Sequence, residues 1–150
     1  TVSDVRENIL FNLKKRFSAA GINNYKSFLA DLSNSKQAIP AESFDLIIAD
    51  VPCSGSGTWS RTPEQLYYFE PAKIDEYAKL QKSILNNVIV AMKTGGYFLY
   101  ITCSVFKKEN EDAVNFLLEK FNLKVLKMEL LKGYELKADT MFVALLQKQL

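Results

Sequence analysis

The chain has 150 residues, 48% of them hydrophobic and 24% charged, with a formal charge of +2 and no histidine. That is enough for one domain with a core of its own, and so small a net charge neither demands nor excludes a nucleic-acid partner. Without histidine, Ser-His-Asp and Cys-His catalysis are unavailable within the chain, so proton transfer falls to Asp, Glu, Lys, Tyr or Cys.

The elements follow from pattern. Val5, Ile9, Leu13 and Phe17 recur every four positions, which predicts a helix over 5–20 stopped at Gly21, with Asp4 either capping it or free for a ligand. Residues 25–30 read as a short strand ending at Asp31, and 32–42 as a polar loop. The run Phe44-Asp45-Leu46-Ile47-Ile48-Ala49 has the continuous apolar character of a buried parallel strand and leads into Asp50. A long connection over 52–71 follows, punctuated by Gly55, Gly57, Pro63 and Pro71, and loops of this length usually carry function. A helix over 72–93 presents Ile74, Tyr77, Ala78, Leu85, Val88, Ile89 and Met92 on one face and is ended by Thr94-Gly95-Gly96. The strand Tyr97-Phe98-Leu99-Tyr100-Ile101 enters Thr102-Cys103-Ser104. A helix over 108–121 turns Ala113, Val114, Leu117, Leu118 and Phe121 inward, and the charged residues of 107–112 read as its solvated start. Strands over 123–130 and 141–147 close the chain, with turns near Gly133 and 137–140 that let the last strand enter antiparallel. The alternation of β and α predicts an α/β, mostly parallel sheet with an antiparallel final strand. The chain opens at what reads as the carboxyl end of a strand, so we expect part of a larger fold, lacking its first βα unit.

Two cysteines stand out. Cys53 in Asp50-Val51-Pro52-Cys53 and Cys103 in Thr102-Cys103-Ser104 each follow an apolar strand. In an open α/β sheet the chemistry lies beyond the carboxyl ends of the strands, so both thiols and Asp50 are expected on one sheet edge. Taken singly, each cysteine reads as a small core residue; together with their flanking motifs they read as a catalytic pair. No Cys-x-x-Cys pair accompanies them, so no metal is expected, and nothing suggests a secreted, disulfide-stapled scaffold. The apolar stretches are too short to span a membrane and the opening residues are polar, which predicts a cytoplasmic protein with no membrane partner. Gly55-Ser56-Gly57 is turn chemistry, since no Gly-Lys-Ser/Thr follows and no histidine can activate a serine.

The motif Asp50-Val51-Pro52-Cys53-Ser54-Gly55-Ser56-Gly57, then Arg61-Thr62-Pro63-Glu64, Leu80-Gln81, Lys93-Thr94-Gly95-Gly96, Tyr100-Ile101-Thr102-Cys103-Ser104-Val105 and Glu109-Asn110-Glu111 resemble the RNA cytosine-C5 methyltransferases of the Sun/Nop type. The resemblance runs from Asp4 to the carboxyl terminus. It implies a Rossmann-like domain using S-adenosylmethionine, of which 1–150 is a partial copy without the glycine-rich cofactor loop and the amino-terminal RNA-binding region. It implies Cys103 as the nucleophile and Cys53 as the residue that assists product release. Asp50 would lie at the cofactor and base, next to Pro52. Asp4 would hold the cofactor ribose and Asp31 the neighbourhood of the adenine. The partner would be RNA, ribosomal or transfer.

This chemistry wants these groups. Cytosine C5 is a poor nucleophile, and a thiolate adding to C6 pushes electron density onto it. A carboxyl such as Asp50 can assist by a hydrogen bond at N3, and a second thiol can take the C5 proton. The base must be flipped out or single-stranded. Trp59 and Arg61 in the long connection are candidate RNA contacts by stacking and phosphate pairing, although packing is the commoner role for the loop aromatics Trp59, Tyr67, Tyr68 and Phe69. Lys14, Lys15 and Arg16 read as a solvated face. Two other classes are considered: a truncated, non-catalytic RNA- or protein-binding domain, and a DNA cytosine methyltransferase, where a Thr-Cys-Ser after the next strand is not expected.

Overall fold

The structure, a computed structural model, describes residues 1–34 and 39–150. The chain divides into two compact units, Thr1–Ala38 and Ile39–Leu150. The expected loop over 32–42 lies partly outside the described residues.

In the first unit, β1 (Val2–Asp4) and β2 (Ser27–Leu29) form a parallel pair with Asp4 opposite Leu29, joined by α1 (Glu7–Ala19). The helix is shorter than its periodicity suggests, because Asp4 is the last residue of β1 and the capping position falls on Arg6 in extended backbone. Asp4 accepts the Arg6 backbone N–H at 2.8 Å and so shapes the turn without capping the helix. At the other end Gly21 sits at φ +70° and the Ile22 N–H reaches the Phe17 carbonyl at 2.8 Å, the left-handed closure that glycine takes without steric cost. Leu10 and Ala30 are the buried hydrophobic residues described in this unit.

The second unit is a four-stranded sheet in the order β3-β4-β6-β5, from β3 (Phe44–Asp50), β4 (Met92–Thr102), β5 (Leu123–Leu131) and β6 (Met141–Lys148). β3 pairs parallel with β4, and β6 lies antiparallel between β4 and β5, so three strands share a direction and the last opposes them, as expected. A short α2 (Pro63–Tyr67), the long α3 (Ala72–Val88) and α4 (Glu111–Lys120) complete it. The core sits where Phe98, Tyr100, Phe142, Ala144 and Leu146 of the central strands meet Leu85, Val114 and Leu117 of the helices. The larger of these side chains contribute about 1.5–3 kcal/mol each by leaving water.

Two boundaries depart from the pattern. The helix expected to reach 93 ends at Val88, passes through one tight turn at Ile89–Ala91, and β4 already begins at Met92, fully buried and paired with Phe44. Thr94-Gly95-Gly96 is therefore an irregularity within the strand, where the register shifts between Phe44 and Leu46 and Gly95 takes φ +79°. The start of the expected 108–121 helix is a tight turn at Lys107–Glu109, and Glu109 and Asn110 are buried at 0% and 1% exposure. The reading of 107–112 as solvated fails at these two positions, because their side chains face a buried polar cluster. β3 is also only half enclosed. Ile47 and Ala49 are buried, whereas Leu46 and Ile48 are 52% and 60% exposed.

Candidate active site

Parallel pairing of β3 with β4 puts Asp50 opposite Ile101, so the two strands end side by side and both cysteine loops leave the same sheet edge. The Val51 N–H still reaches the Ile101 carbonyl at 3.4 Å. Beyond it the Cys53 and Cys103 sulfurs stand 3.3 Å apart, each thiol free and partly exposed. The expectation of two thiols meeting beside Asp50 at one edge holds.

The loops are held by close approach. Gly55, at φ +71°, turns the chain into the tight turn Ser56–Thr58. The Gly57 N–H donates to the Cys103 carbonyl at 2.8 Å, and the Gly57 carbonyl accepts the Thr140 N–H at 3.0 Å. A Cβ on Gly57 would stand 1.9 Å from the Thr140 carbonyl oxygen, so only glycine allows the three segments to meet.

The thiol pair is electrostatically uneven. The hydrogen bond from Cys53 stabilises the Cys103 thiolate and lowers that thiol to about 7, against opposing burial and the charge of Asp50. Cys53, holding the shared proton and further desolvated, is pushed well up. The site thus pairs one thiol of lowered pKa with one kept protonated beside it. Asp50 reaches solvent at the strand end, yet it is crowded enough that desolvation raises its carboxyl above the usual range.

Beneath the sulfurs lies a polar cluster whose residues fall in the quoted motifs but to which the sequence assigned no role. Glu109 Oε1 accepts the Ser54 N–H at 2.8 Å, and Oε2 accepts the hydroxyls of Ser54, at 2.6 Å, and of Ser104. Ser56 Oγ accepts the Val105 N–H at 2.9 Å, and Ser104 Oγ accepts the Phe106 N–H at 3.0 Å. Asn110 accepts the Thr102 hydroxyl at 2.6 Å and donates to the Ser104 carbonyl at 2.8 Å. Hydrogen bonds to a charged acceptor contribute about 1.5–3 kcal/mol each, which offsets the cost of burying the carboxylate. On the other side Gln81, fully buried, donates to the Pro52 carbonyl at 2.9 Å, while Pro52 itself is exposed. The signal for Gln81 was present: it shares the buried stripe of α3 with Ala78, Leu85 and Val88, a polar residue in an apolar register.

The remaining candidates fall as follows. Asp4 ends β1, and its two carboxylate oxygens take the Arg6 guanidinium at 3.1 and 3.2 Å, which holds its pKa below the usual range. Asp31 lies two residues beyond β2 and accepts the Ser33 N–H and hydroxyl. Both acids leave the carboxyl ends of their strands, as expected. Trp59 is packed against Phe69 and Phe106, with ring centroids 4.8 and 5.9 Å away, so its ring serves the loop's own packing. Arg61 stays largely exposed but is clamped in a forked ion pair with Asp139 at 2.8 Å. Tyr67 and Tyr68 are the exposed aromatics of this connection, 82% and 77%. Among the described residues no cluster of His, Cys, Asp and Glu could hold a metal ion, and no helix is long and apolar enough to cross a membrane.

An α/β sheet with an antiparallel last strand, carrying its reactive groups beyond the carboxyl ends of adjacent parallel strands, is the architecture of the Rossmann-like methyltransferases. The chain belongs to the 16S rRNA methyltransferase RsmB/F family, whose model matches residues 1–147. It is 35% identical over 109 residues to the ribosomal RNA small subunit methyltransferase F of Aeromonas salmonicida, covering 73% of this chain and 23% of that protein. It is 38% identical over 96 residues to the mouse 28S rRNA (cytosine-C(5))-methyltransferase, covering 61% of this chain and 12% of that one. Among solved structures it superposes on PH0851 with a TM-score of 0.90 and 30% identity, covering 97% of this chain and 36% of that chain. The fold is also that of NSun6 from Pyrococcus horikoshii, solved with SFG, at a TM-score of 0.83 and 22% identity over 97% of this chain and 40% of that chain. The chain spans a quarter or less of the length of these curated relatives.

Proposed function

We propose that this chain carries the catalytic thiols of an enzyme that methylates C5 of a cytosine in ribosomal RNA, with S-adenosylmethionine as the methyl donor. The observation that carries the reading is the 3.3 Å approach of Cys53 and Cys103, with one thiol lowered to about 7 and the other held protonated. The names of the relatives support the RNA substrate. We further propose that the chain works as the catalytic part of a longer polypeptide, in keeping with the length of those relatives.

The residues present suit the cofactor. Within the first unit, Asp4 and Asp31 are carboxylates at strand ends with acceptor capacity left over for ribose or adenine donors; within the second, Asp50 and Pro52 lie on the loop at the thiols. When bound, S-adenosylmethionine would supply an electrophilic methyl group. The chain's own groups do the rest. The Cys103 thiolate adds to C6, forming a carbon–sulfur bond and shifting the ring electrons to C5. Asp50, whose carboxyl is pushed above the usual range by desolvation, is the group placed to support that shift by a hydrogen bond at N3 when it carries a proton. After methylation the C5 proton leaves to a base, the ring double bond re-forms, and the Cys103 sulfur departs. Cys53, in hydrogen-bond contact with Cys103, is the group placed to take that proton: once the Cys103 sulfur is bonded to carbon it no longer holds the Cys53 proton, which passes to solvent and leaves a Cys53 thiolate as the base. Arg61 can offer its guanidinium to an RNA phosphate only in exchange for Asp139, so its contribution is expected to be modest.

In the intact polypeptide, Cys103→Ala is expected to lower methyl transfer at least about 1,000-fold, since it removes the nucleophile. Cys53→Ala is expected to form the RNA adduct and fail to release it, seen as a shifted protein band on a denaturing gel. An equal and mild loss in both variants would remove the assigned roles. Labelled ribosomal and transfer RNA, offered in parallel, identify the substrate.

A further inference from the structure

We propose that Glu109 is a positioning residue that sets the two thiols in register by holding the residue that follows each of them. The proposal rests on the reading of Cys53 and Cys103 as a working pair, and names what fixes their spacing.

Ser54 and Ser104 are the residues immediately after the two cysteines, on loops 50 positions apart in sequence. Both hydroxyls converge on one carboxylate oxygen of Glu109, and the Ser54 N–H takes the other. The carboxylate is therefore a bridge between the two loops, and its length sets how far apart they can sit. It is fully buried, and the salt bridges among the described residues do not include it. Burying a carboxylate without a cation costs desolvation that its hydrogen bonds must offset, so its value here lies in geometry. It is also anchored from behind. Its backbone carbonyl accepts the Tyr100 hydroxyl at 2.5 Å, tying it to β4, the strand that delivers Cys103. The neighbouring Asn110 grips Thr102 and the Ser104 carbonyl, one on each side of Cys103. Gln81 closes the opposite side of the first loop at Pro52. Cys53 and Cys103 are thus held through their neighbours, while their own side chains stay free for chemistry.

Glutamine cannot replace this bridge. Its amide has one acceptor oxygen: turned to the hydroxyls, it sets NH2 against the Ser54 N–H, donor against donor; turned to that N–H, it forces both hydroxyls to reverse from donors to acceptors. Loosening the bridge should separate the sulfurs and release Cys103 from the Cys53 hydrogen bond.

Phenylarsine oxide tests the pairing directly. It condenses with two thiols held side by side, forming two arsenic–sulfur bonds and releasing one water. The full chain is expected to bind it one to one. Glu109→Gln should weaken that binding at least about tenfold. It should also raise the pH midpoint for iodoacetamide alkylation of Cys103 from about 7 towards that of an ordinary thiol, about 8.5. Val114→Ala, a cavity in the buried face of α4, serves as a control matched in thermal midpoint and should change neither readout. If Glu109→Gln does not fold, Ser54→Ala and Ser104→Ala each remove one arm of the bridge and should shift both readouts in the same direction. A folded Glu109→Gln, or both serine variants, with unchanged arsenical binding and unchanged alkylation midpoint would overturn the proposal. These measurements need neither RNA nor cofactor. Inactive thiols with an intact Glu109 dependence would therefore sink the methylation reading and leave this one standing.

Discussion

Cys103 differs from an ordinary thiol because its side-chain hydrogen-bond partner is another sulfur. At 3.3 Å the Cys53 thiol donates to it, and that one bond outweighs burial and the adjacent Asp50 carboxylate. The sign of the pH dependence follows. Above about 7 Cys103 is a thiolate and reacts with iodoacetamide; below it the sulfur is protonated and slow. Cys53→Ala removes the donor, so the alkylation midpoint of Cys103 is expected to rise towards about 8.5. A midpoint that stays near 7 in that variant would show that another group sets it. At this scale the sequence made Cys53, Cys103 and Asp50 legible, because two apolar strands ending in cysteine motifs must deliver them to one edge. Glu109 belonged to a motif that carried the resemblance, Glu109-Asn110-Glu111, but its role was not legible. A glutamate after two lysines just before a helix has the pattern of a solvated start, and the tight turn at Lys107–Glu109 carries its side chain inward.

The elements meet at Gly57. Its N–H holds the Cys103 carbonyl and its own carbonyl holds Thr140, so the loop after β3, the end of β4 and the entry to β6 are fastened through one residue that has no side chain. Gly57→Ala is expected to destabilise the protein by about 1–3 kcal/mol, as overpacking in a closed site does, read as a lower midpoint in urea unfolding. A variant as stable as the parent would mean that the Thr140 segment yields freely. The turn chemistry of Gly55 and Gly57 was readable from sequence as punctuation, but which distant backbone each glycine admits was not, since that depends on the long-range meeting of 57 with 103 and 140. The same limit explains the misplaced end of α3. Thr94-Gly95-Gly96 has the composition of a helix stop, yet pairing of Met92 with Phe44 claims the segment for β4 and moves the break back to Val88.

Across the whole molecule, protection from solvent is unequal. The first unit buries two hydrophobic side chains, Leu10 and Ala30, among its described residues, whereas β4 and β6 carry Phe98, Tyr100, Phe142, Ala144 and Leu146 at 0–1% exposure. Amide hydrogen exchange is expected to be at least about 100-fold faster in β1, α1 and β2 than in β4 and β6, as opening free energy follows local burial. Uniform protection along the chain would contradict this. The alternation of strands and helices foretold the α/β class, and the missing helix between the last two strands foretold that β6 would run against the rest. That β6 would insert between β4 and β5 was not written in any periodicity. Its position has a consequence for biosynthesis. β6 is translated after both strands that it joins, and among the described residues the ladders on its two sides are the ones that connect β5 to the sheet. While the ribosome is still adding residues before 141, β4 and β5 have no hydrogen-bonded route to each other, and the thiol-bearing edge waits on a strand not yet made.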